Sequence, residues 1–324
     1  MEELALLILG AGWTAEFLIP LLQSRNIPFA ATTTSGRPVA GVPTLPFKFD
    51  PAAPEPDTRS AIAALPRARY VLVTFPLVGK GQSKLLVETY HETHLAAAAA
   101  ATTTAGSHQF RFLQLGSTGI WQQRPGALTH SSRNNDNDND NDNDNDNNDK
   151  NKSPWFTRHS PYQTSDPRAI AEDELLALGG CVLNLSGLWG GRRHPRHLVG
   201  RVTGSKEAVR QKTSIHLIHG TDVARAIAAV VQAEDGKWER AGKGQRWMLT
   251  DGFVYDWWAL LAGWAEDDEG GAGGEPSEQA RWVWELMAEE GVRALPRRME
   301  TLGRCYDVRE FWETFGLVPL KGRV

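Results

Sequence analysis

The sequence has little cysteine, no basic leader and no strong excess of either charge. Its two cysteines, Cys181 and Cys305, suit neither a disulfide framework nor a metal-ligand spacing, so no metal site is expected. The first apolar run, Leu4 to Leu9, is too short to span a bilayer, and acidic residues precede it where a secretory leader carries basic ones. These features predict a soluble cytoplasmic protein.

The net charge of −4 arises largely from one tract. From Asn134 to Asp149 every residue is Asn or Asp, and the seven aspartates account for the sign, because the remaining chain carries +3 (−4 plus 7). Neither value favours nucleic acid or a membrane as a partner, so we expect a small-molecule substrate. The tract has no apolar residue that could offset its ordering entropy, which predicts a disordered insert. The oligomeric state stays open.

Acidic residues are also absent from Phe17 to Lys48, a range that overlaps the most informative stretch of the chain. An apolar run ends at Gly10-Ala11-Gly12 and gives way to residues with helical spacing. A second apolar run, Ile27 to Ala31, comes next. Strand, glycine turn, helix and strand within this length predict a dinucleotide-binding βαβ unit.

Each small residue of the turn has a physical role. Gly10 permits the tight turn, Gly12 lets the backbone approach a pyrophosphate, and Ala15 lets the helix pack closely on the strand. The helix directs its first N–H groups at the phosphates. The predicted cofactor contacts here are Gly10, Ala11, Gly12, Trp13, Thr14 and Ala15. The alternative is a glycine turn in an α/β protein that binds no nucleotide, and Pro20 should kink the helix or remove a hydrogen bond.

The end of the second strand indicates which dinucleotide is bound. An acid there would accept hydrogen bonds from the ribose of NAD, whereas hydroxyls and arginine suit the 2′-phosphate of NADP. The chain offers Thr34, Ser35 and Arg37. NADP is therefore favoured and NAD stays possible, since Arg37 could be an ordinary surface residue. Pro76 ends a later apolar strand and either lines the cofactor or only terminates the strand.

Strands and helices alternate through the rest of the chain. The pattern predicts helices at Thr58–Ala64, 82–105, Asp166–Leu178 and 221–233, the last with Thr221 as its N-cap, and strands at Phe110–Leu115, Val182–Leu185, Ser214–Ile218 and Arg246–Leu249. This alternation predicts an α/β protein with a doubly wound parallel (Rossmann) sheet. We assign residues 1–250 to an NAD(P)-binding domain and 251–324 to a smaller helical substrate lobe, to which 186–213 contribute.

Five motifs recur in the order typical of a known superfamily. They are LLILGAGWTAEFL, LVTFP, LQLGSTGIW, GLWGGRRHP and SIHLIHGTDVARAI. Over residues 4–235 the chain resembles the extended short-chain dehydrogenase/reductases, specifically the atypical YeeZ-like NAD(P)-binding proteins related to NAD-dependent epimerases and dehydratases. The last motif is specific, since members carry a similar His-x-x-Asp-Val, here His219, Asp222 and Val223, at a helix start.

The resemblance implies a catalytic serine, tyrosine and lysine, of which only the serine is present. Ser117 matches the serine, which orients the substrate carbonyl. The pattern Tyr-x-x-x-Lys-x-x-x-Glu falls on Thr164, Arg168 and Glu172. A threonine hydroxyl is too weak an acid to replace the phenol. Arg168 keeps its charge, so it could still hold ribose or phosphate oxygens.

Other proton donors are available in the sequence. Tyr162 is the nearest phenol to Thr164, although a tyrosine on the rim of the site would look the same. His159, His194 and His219 are further candidates, and each could instead be a structural histidine.

Two classes of function remain. The first is an NADP-dependent oxidoreductase or epimerase that acts on a small hydroxy or carbonyl compound or a sugar-nucleotide-type substrate, with Ser117, Tyr162 and Arg168 as its catalytic residues. The second is a cofactor-binding sensor or scaffold without turnover. The intact glycine turn and Ser117 favour the enzyme, whereas Thr164 favours the sensor.

Overall fold

A seven-stranded parallel sheet forms the centre of the protein. The computed structural model describes residues 4–100, 110–122, 154–266, 275–322 and 324, with backbone alone for 96–100, so the Asn/Asp tract lies outside the described residues. Every neighbouring pair of strands is parallel. The strands in spatial order are β3 (Leu45–Pro46), β2 (Phe29–Thr33), β1 (Leu4–Leu9), β4 (Ala68–Val73), β5 (Arg111–Ser117), β7 (Cys181–Leu185) and β11 (Arg246–Leu249).

Helices cover both faces of the sheet, because its strands bury side chains on both. In β1, Leu6 and Ile8 belong to one core cluster, and Leu7 and Leu9 belong to the other. The first cluster is covered by α1 (Trp13–Ser24), α7 (Gly220–Val231) and α12 (Arg309–Phe315). The second is covered by α2 (Glu55–Ala63), α3 (Gln82–Ala100) and α4 (Pro167–Ala177). The predicted doubly wound Rossmann sheet is confirmed.

The strand order reverses between β1 and β4, where a ligand crevice is expected at the carboxyl ends. The turn at Gly10 leaves β1 at this point, and the segment from Thr74 to Pro76 leaves β4 beside it. The end of β5, at Ser117, is next along the same edge. The fold therefore brings the residues predicted to hold a cofactor and substrate to one side of the sheet.

A separate apolar cluster lies outside the two main cores. It is built on α6 (Lys206–Arg210), α9 (Trp257–Gly263) and α10 (Glu278–Glu289), with Trp258 fully buried. The last helix, α12, packs instead on α7 and β11. The division at residue 250 stays a prediction. The remaining elements are β6 (Trp155–Phe156), β8 (Gly187–Trp189), β9 (Ser214–Ile215), β10 (Leu217–His219), β12 (Tyr255–Asp256), β13 (Cys305–Tyr306), α5 (Val199–Val202), α8 (Asp235–Ala241), α11 (Met299–Leu302) and 3-10 turns at Thr118–Trp121 and Pro195–Leu198.

Two of the predicted elements differ in the structure. The single strand predicted over Ser214–Ile218 is two strands, because β9 pairs with β12 and β10 pairs with β8. The prediction that Thr221 is the N-cap of α7 was wrong. The imidazole Nδ1 of His219 accepts the N–H of Thr221 at 3.0 Å, so the cap lies two residues earlier.

The helix α1 continues across Pro20 to Ser24. The proline is exposed, while Leu18 and Ile19 on the same helix are buried against the sheet, so the ring does not disturb the packed face. Among the described residues, no helix is both long enough and apolar enough to cross a membrane.

Candidate functional site

The glycine turn after β1 is held by hydrogen bonds to two neighbouring strands. The N–H of Gly10 donates to Thr32 Oγ1 at 3.1 Å, and that of Ala11 donates to the Thr32 carbonyl at 2.6 Å. From the β4 side, the Thr74 hydroxyl donates to the Gly10 carbonyl. Gly10 has φ of +85°, and a Cβ there would lie 2.9 Å from Thr74 Oγ1. Only glycine fits this position, for reasons internal to the chain.

Gly12 differs, because none of the residues that the structure describes crowds it. Its φ is −101°, and a Cβ there would meet only the Gly10 carbonyl oxygen, at 3.8 Å. Behind it, Ala15 is buried between α1 and the sheet, and Thr14 is nearly as buried. The space beside Gly12 is therefore open at the N-terminus of a twelve-residue helix, where phosphate groups bind in dinucleotide folds.

The end of β2 presents hydroxyls and one arginine. Thr33 is buried and shares a hydrogen bond of 2.9 Å with Thr44, whose hydroxyl also donates to the Arg37 carbonyl at 2.7 Å. Thr34, Ser35 and Arg37 are exposed. Within the described part of the chain, the Arg37 guanidinium has no hydrogen bond or ion pair. Hydrogen bonds to Thr44 therefore hold the backbone of this segment, whereas the side chains of Thr34, Ser35 and Arg37 face solvent.

An aromatic pair after β3 and β4 borders the glycine turn and was not predicted. Phe75 would be 3.0 Å from a Cβ at Gly10, and it stacks on Phe49 with a centroid separation of 6.0 Å. Pro76, which was predicted to line a cofactor, is exposed beside it. Phe49 and Phe75 are far apart in the sequence, so no local pattern predicts that their rings stack.

Ser117 ends β5 and begins a 3-10 turn. Its Oγ accepts the N–H of Gly119 at 3.1 Å, and its carbonyl accepts Asn184 Nδ2 at 3.1 Å. A Cβ at Gly116 would collide with Glu172 and Asn184, which approach the backbone closely from below. Ser117 is half-buried at the carboxyl edge of the sheet.

Tyr162 lies beside this 3-10 turn, because the N–H of Gln163 donates to the Ile120 carbonyl at 2.9 Å. The Tyr162 hydroxyl donates to Asp173 Oδ1 at 2.7 Å, and the Arg246 guanidinium lies 4.7 Å from the ring centroid. Burial, followed by the hydrogen bond to Asp173, raises the pKa of the Tyr162 phenol. The phenol keeps its proton at neutral pH.

The two positions that replace the missing pair are exposed. Thr164 lies before α4 and outside it, because Asp166 caps that helix and Pro167 begins it. Arg168 is in the first turn of α4. The Pro167 carbonyl accepts the N–H of Gly79 at 2.7 Å, so Arg168 follows directly on a contact with the segment after β4. Thr164 in turn follows directly on the contact of Gln163 with Ile120, beside the Ser117 turn.

A buried ionic network lies under Ser117 and was not predicted. Arg246 pairs with Glu172 and donates to Asn184 Oδ1 at 3.1 Å. Its other amino group donates to Asp173 Oδ1 at 2.7 Å. Glu172 is 1% exposed, and burial raises the pKa of its carboxyl although Arg246 opposes the change. The network links Ser117, through Asn184, to Tyr162, through Asp173.

The three candidate histidines occupy different surroundings. His159 is exposed and pairs with Glu310, while His194 Nδ1 accepts the N–H of Arg196 and so caps a 3-10 turn. His219 caps α7, and burial lowers the pKa of its imidazole. All three have structural contacts.

A second phenol was missed by the sequence reading. The Tyr306 hydroxyl donates to the Thr118 carbonyl at 3.2 Å, directly after Ser117, and its ring stacks on His216 with centroids 4.2 Å apart. Burial raises the pKa of Tyr306. The pairing of β13 with β6 and the hydrogen bond from the Tyr306 N–H to His216 Nε2, at 3.2 Å, hold this distant residue at the site.

The predicted contact of Trp13 with the cofactor stays a prediction, and in the structure its side chain contacts the loop after β8. The indole Nε1 donates to the Gly190 carbonyl at 3.0 Å, and the Arg193 guanidinium lies 4.7 Å from the indole ring. The first turn of α1 is thereby joined to the loop after β8. A cleft of about 420 Å³ opens beside this loop, a size typical of small-molecule sites.

Comparison with solved structures establishes the fold. A short-chain dehydrogenase/reductase superfamily protein from Agrobacterium tumefaciens, solved with bound NAD, is 12% identical over 98% of this chain and 93% of its own, with a TM-score of 0.54. A reductase from a structure-guided engineering study is 12% identical over 99% of this chain and 96% of its own, with a TM-score of 0.54. MoeE5, in complex with UDP-glucuronic acid and NAD, is 13% identical over 98% of this chain and 94% of its own, with a TM-score of 0.50.

At these identities the likeness concerns the backbone arrangement alone, and the chain shares the fold of these solved structures. No protein-family model and no curated protein matches the sequence.

Proposed function

We propose that the chain is an NAD(P)-dependent oxidoreductase or epimerase that acts on a small hydroxy or carbonyl compound. The observation that carries this proposal is the contrast between Gly10 and Gly12. Packing within the chain requires glycine at position 10, whereas a Cβ at position 12 would meet, among the described residues, a single backbone oxygen at 3.8 Å. An unfilled space at a helix N-terminus, at the strand-order reversal, suits a pyrophosphate.

NADP is the dinucleotide we favour. Thr34, Ser35 and Arg37 are exposed where β2 ends, and the stretch from Phe17 to Lys48 has no acid to bind the ribose hydroxyls of NAD. A guanidinium without a protein partner can form a bidentate contact with a 2′-phosphate. Arg168, in the first turn of α4, would hold the ribose at the other end of the cofactor.

Hydride transfer would be supplied by the nicotinamide, and the chain would have to orient the substrate and supply a proton. Ser117, fixed by Asn184 and by its own turn, is positioned to orient a carbonyl. Tyr162 is our proposed proton donor, because it is a half-buried phenol beside the Ser117 turn and a phenol carries its proton at neutral pH. Asp173 would hold the phenol in place.

A non-catalytic cofactor sensor or scaffold is the second candidate. Thr164 favours this candidate, because it is exposed and outside α4 and stands where the resemblance implies the catalytic tyrosine. The lysine that the resemblance implies is also replaced. The two functions share the glycine turn and differ only in whether a proton can be delivered.

The test begins with binding and ends with turnover. Fluorescence titration should give tighter binding of NADPH than of NADH, and absence of binding to both would reject the proposal. The protein with NADPH is then screened against aldehydes, ketones, oxo acids and sugar nucleotides by the absorbance of the reduced nicotinamide. Tight NADPH binding without turnover across the panel would favour the sensor.

A further inference from the structure

The loop after β8 contains a tight turn of two glycines and two arginines, residues 190–193, which we term the arginine turn. The N–H groups of Gly190 and Arg193 each donate to the other's carbonyl, at 2.7 and 3.1 Å. Gly190 and Gly191 have φ of +110° and +56°, in the left-handed region that favours glycine. The backbone of the turn is therefore defined by its own sequence.

The arginine turn is packed against the start of α1 and the start of α7. Trp13 Nε1 donates to the Gly190 carbonyl, and a Cβ at Gly190 would collide with the imidazole of His219. Phe17 packs edge-on to both Trp13 and His219, at centroid distances of 4.9 and 5.3 Å. The arginine turn is therefore in contact with the residue that directly follows Gly12 of the glycine turn, because that residue is Trp13.

The cleft beside the turn combines positive charge with an apolar floor. The described residues that line it include no acid, and they are Gly187, Leu188, Arg192, Arg193, His194, Pro195, His197, Leu198, Ile215 and Leu217. Arg193 rests on the Trp13 ring and has no carboxylate partner within the described ranges. Arg192 is 3.7 Å from Glu16, but its side chain is 92% exposed, so this pair is weak.

We propose that this cleft binds the anionic end of the substrate, a carboxylate or phosphate, through Arg193, and that Trp13 couples its binding to that of the dinucleotide. The inference rests on the proposed function and adds a substrate class to it. Leu188, Leu198, Ile215 and Leu217 would contact an apolar body, so a short alkyl oxo acid suits the cleft better than a bare phosphate. Arg192 would add charge at the rim.

The coupling follows from the position of Trp13. An anion bound by Arg193 would hold in place the guanidinium that stacks on the indole, and Trp13 is covalently adjacent to Gly12, the residue facing the proposed pyrophosphate space. Coupling between two binding sites is reciprocal, so the anion should raise the affinity for dinucleotide by the factor by which dinucleotide raises the affinity for the anion. Trp13 is a positioning residue in this scheme.

The charge requirement is tested by calorimetry with 2-oxohexanoate and, separately, with inorganic phosphate. We expect 2-oxohexanoate to bind, Arg193→Met to weaken it by about ten-fold or more, and the exposed control Arg201→Met to change it less than about two-fold. Binding of phosphate alone, with the same dependence on Arg193, would identify a phosphate substrate. Failure of both anions to bind, or equal binding by Arg193→Met, would overturn the proposal.

The coupling is tested by titrating NADP⁺ with and without the anion that binds. We expect the anion to tighten NADP⁺ binding by about five-fold or more, within the usual range of site coupling. In Trp13→Phe this gain should fall below about two-fold, measured against that variant's own NADP⁺ affinity without the anion. Trp284→Phe, at a 66% exposed position, is the control. An unchanged gain in Trp13→Phe would contradict the coupling. Absence of NADP⁺ binding would reject the proposed function, whereas anion binding would still test the cleft.

Discussion

The glycine turn and the start of α4 contrast sharply, although they lie at the same edge of the sheet. At the glycine turn, Gly10 is fixed by crowding and Gly12 leaves a space that the chain does not use. At the start of α4, Thr164 precedes the helix and Arg168 is exposed in its first turn. The first place therefore offers the space that our proposed function assigns to a pyrophosphate, whereas the second offers an exposed threonine and arginine.

The difference shows what dinucleotide binding and proton transfer each require. Dinucleotide binding relies on backbone groups and the absence of a side chain, so it depends on fold and a few small residues. Proton transfer relies on one side chain with a suitable pKa at one place. A chain can therefore keep dinucleotide binding while it loses its proton donor or places it elsewhere, and single variants distinguish these outcomes.

The largest effect should come from Gly12→Val. We expect NADPH binding to weaken by about 100-fold or more, equivalent to about 2.7 kcal/mol, because the branched side chain would fill the pyrophosphate space. The melting temperature should fall by less than about 4 °C, since little protein surrounds the position. Titration and thermal unfolding check both, and undiminished binding would contradict the cofactor site. Gly10→Ala is the contrast, because its φ and Thr74 make it destabilising.

Arg246→Met should destabilise the fold by about 3–5 kcal/mol, because it leaves Glu172 buried without its cation. Urea denaturation measures the loss. Burial then raises the Glu172 pKa further, so the folded state binds the proton more tightly than the unfolded state. The loss should accordingly shrink as pH falls through the raised pKa of Glu172 in the folded variant, reach its minimum near the unfolded carboxyl pKa, and grow as pH rises.

The double variant Glu172→Gln, Arg246→Met is the control for this network. It should lose less stability than the sum of the two single variants, since neither buried group is then charged. Strict additivity would show that the two side chains do not interact.

Tyr162→Phe separates the enzyme from the sensor. With any substrate found in the screen, we expect turnover to fall by about 100-fold, the lower range for losing an acid catalyst, with NADPH affinity unchanged. Tyr306→Phe should retain most turnover, because Tyr306 is only 3% exposed whereas Tyr162 is half-buried and can reach a substrate. The opposite result would assign proton donation to Tyr306.

The smallest effect should come from Arg37→Ala. We expect NADPH affinity to fall by about ten-fold through loss of a charge-assisted contact, while NADH affinity stays the same and serves as the internal control. Equal affinities for both dinucleotides in the unmutated protein would reject the NADP assignment.

Local patterns were sufficient for the sheet and the glycine turn. The apolar runs that became β1, β4 and β7 are short and bounded by glycine, proline or charge, so their strand character is visible in the sequence. The same holds for Gly10 and Gly12, because their spacing encodes a local turn. The roles of Thr34, Ser35 and Arg37 stay predictions, since nothing in the protein alone tests them.

The contacts that define the rest of the site join residues far apart in the chain. Arg246 meets Glu172 and Asp173 only because β11 pairs beside β7, and Trp13 meets Gly190 from 177 residues away. Periodicity carries no information about such pairs. The cap of α7 was misassigned for a related reason, since threonine is the commoner capping residue and the imidazole of His219 competes with it only through its exact geometry.

Gly116 illustrates a constraint on how this chain can vary. Its backbone angle is outside the left-handed region, so a substitution table based on conformation would accept alanine there. Even one methyl group, however, would displace Glu172 and Asn184 together and carry the Ser117 backbone with them. In a library of single variants, position 116 should therefore tolerate no residue other than glycine. A larger residue there would need smaller residues at positions 172 and 184 at the same time.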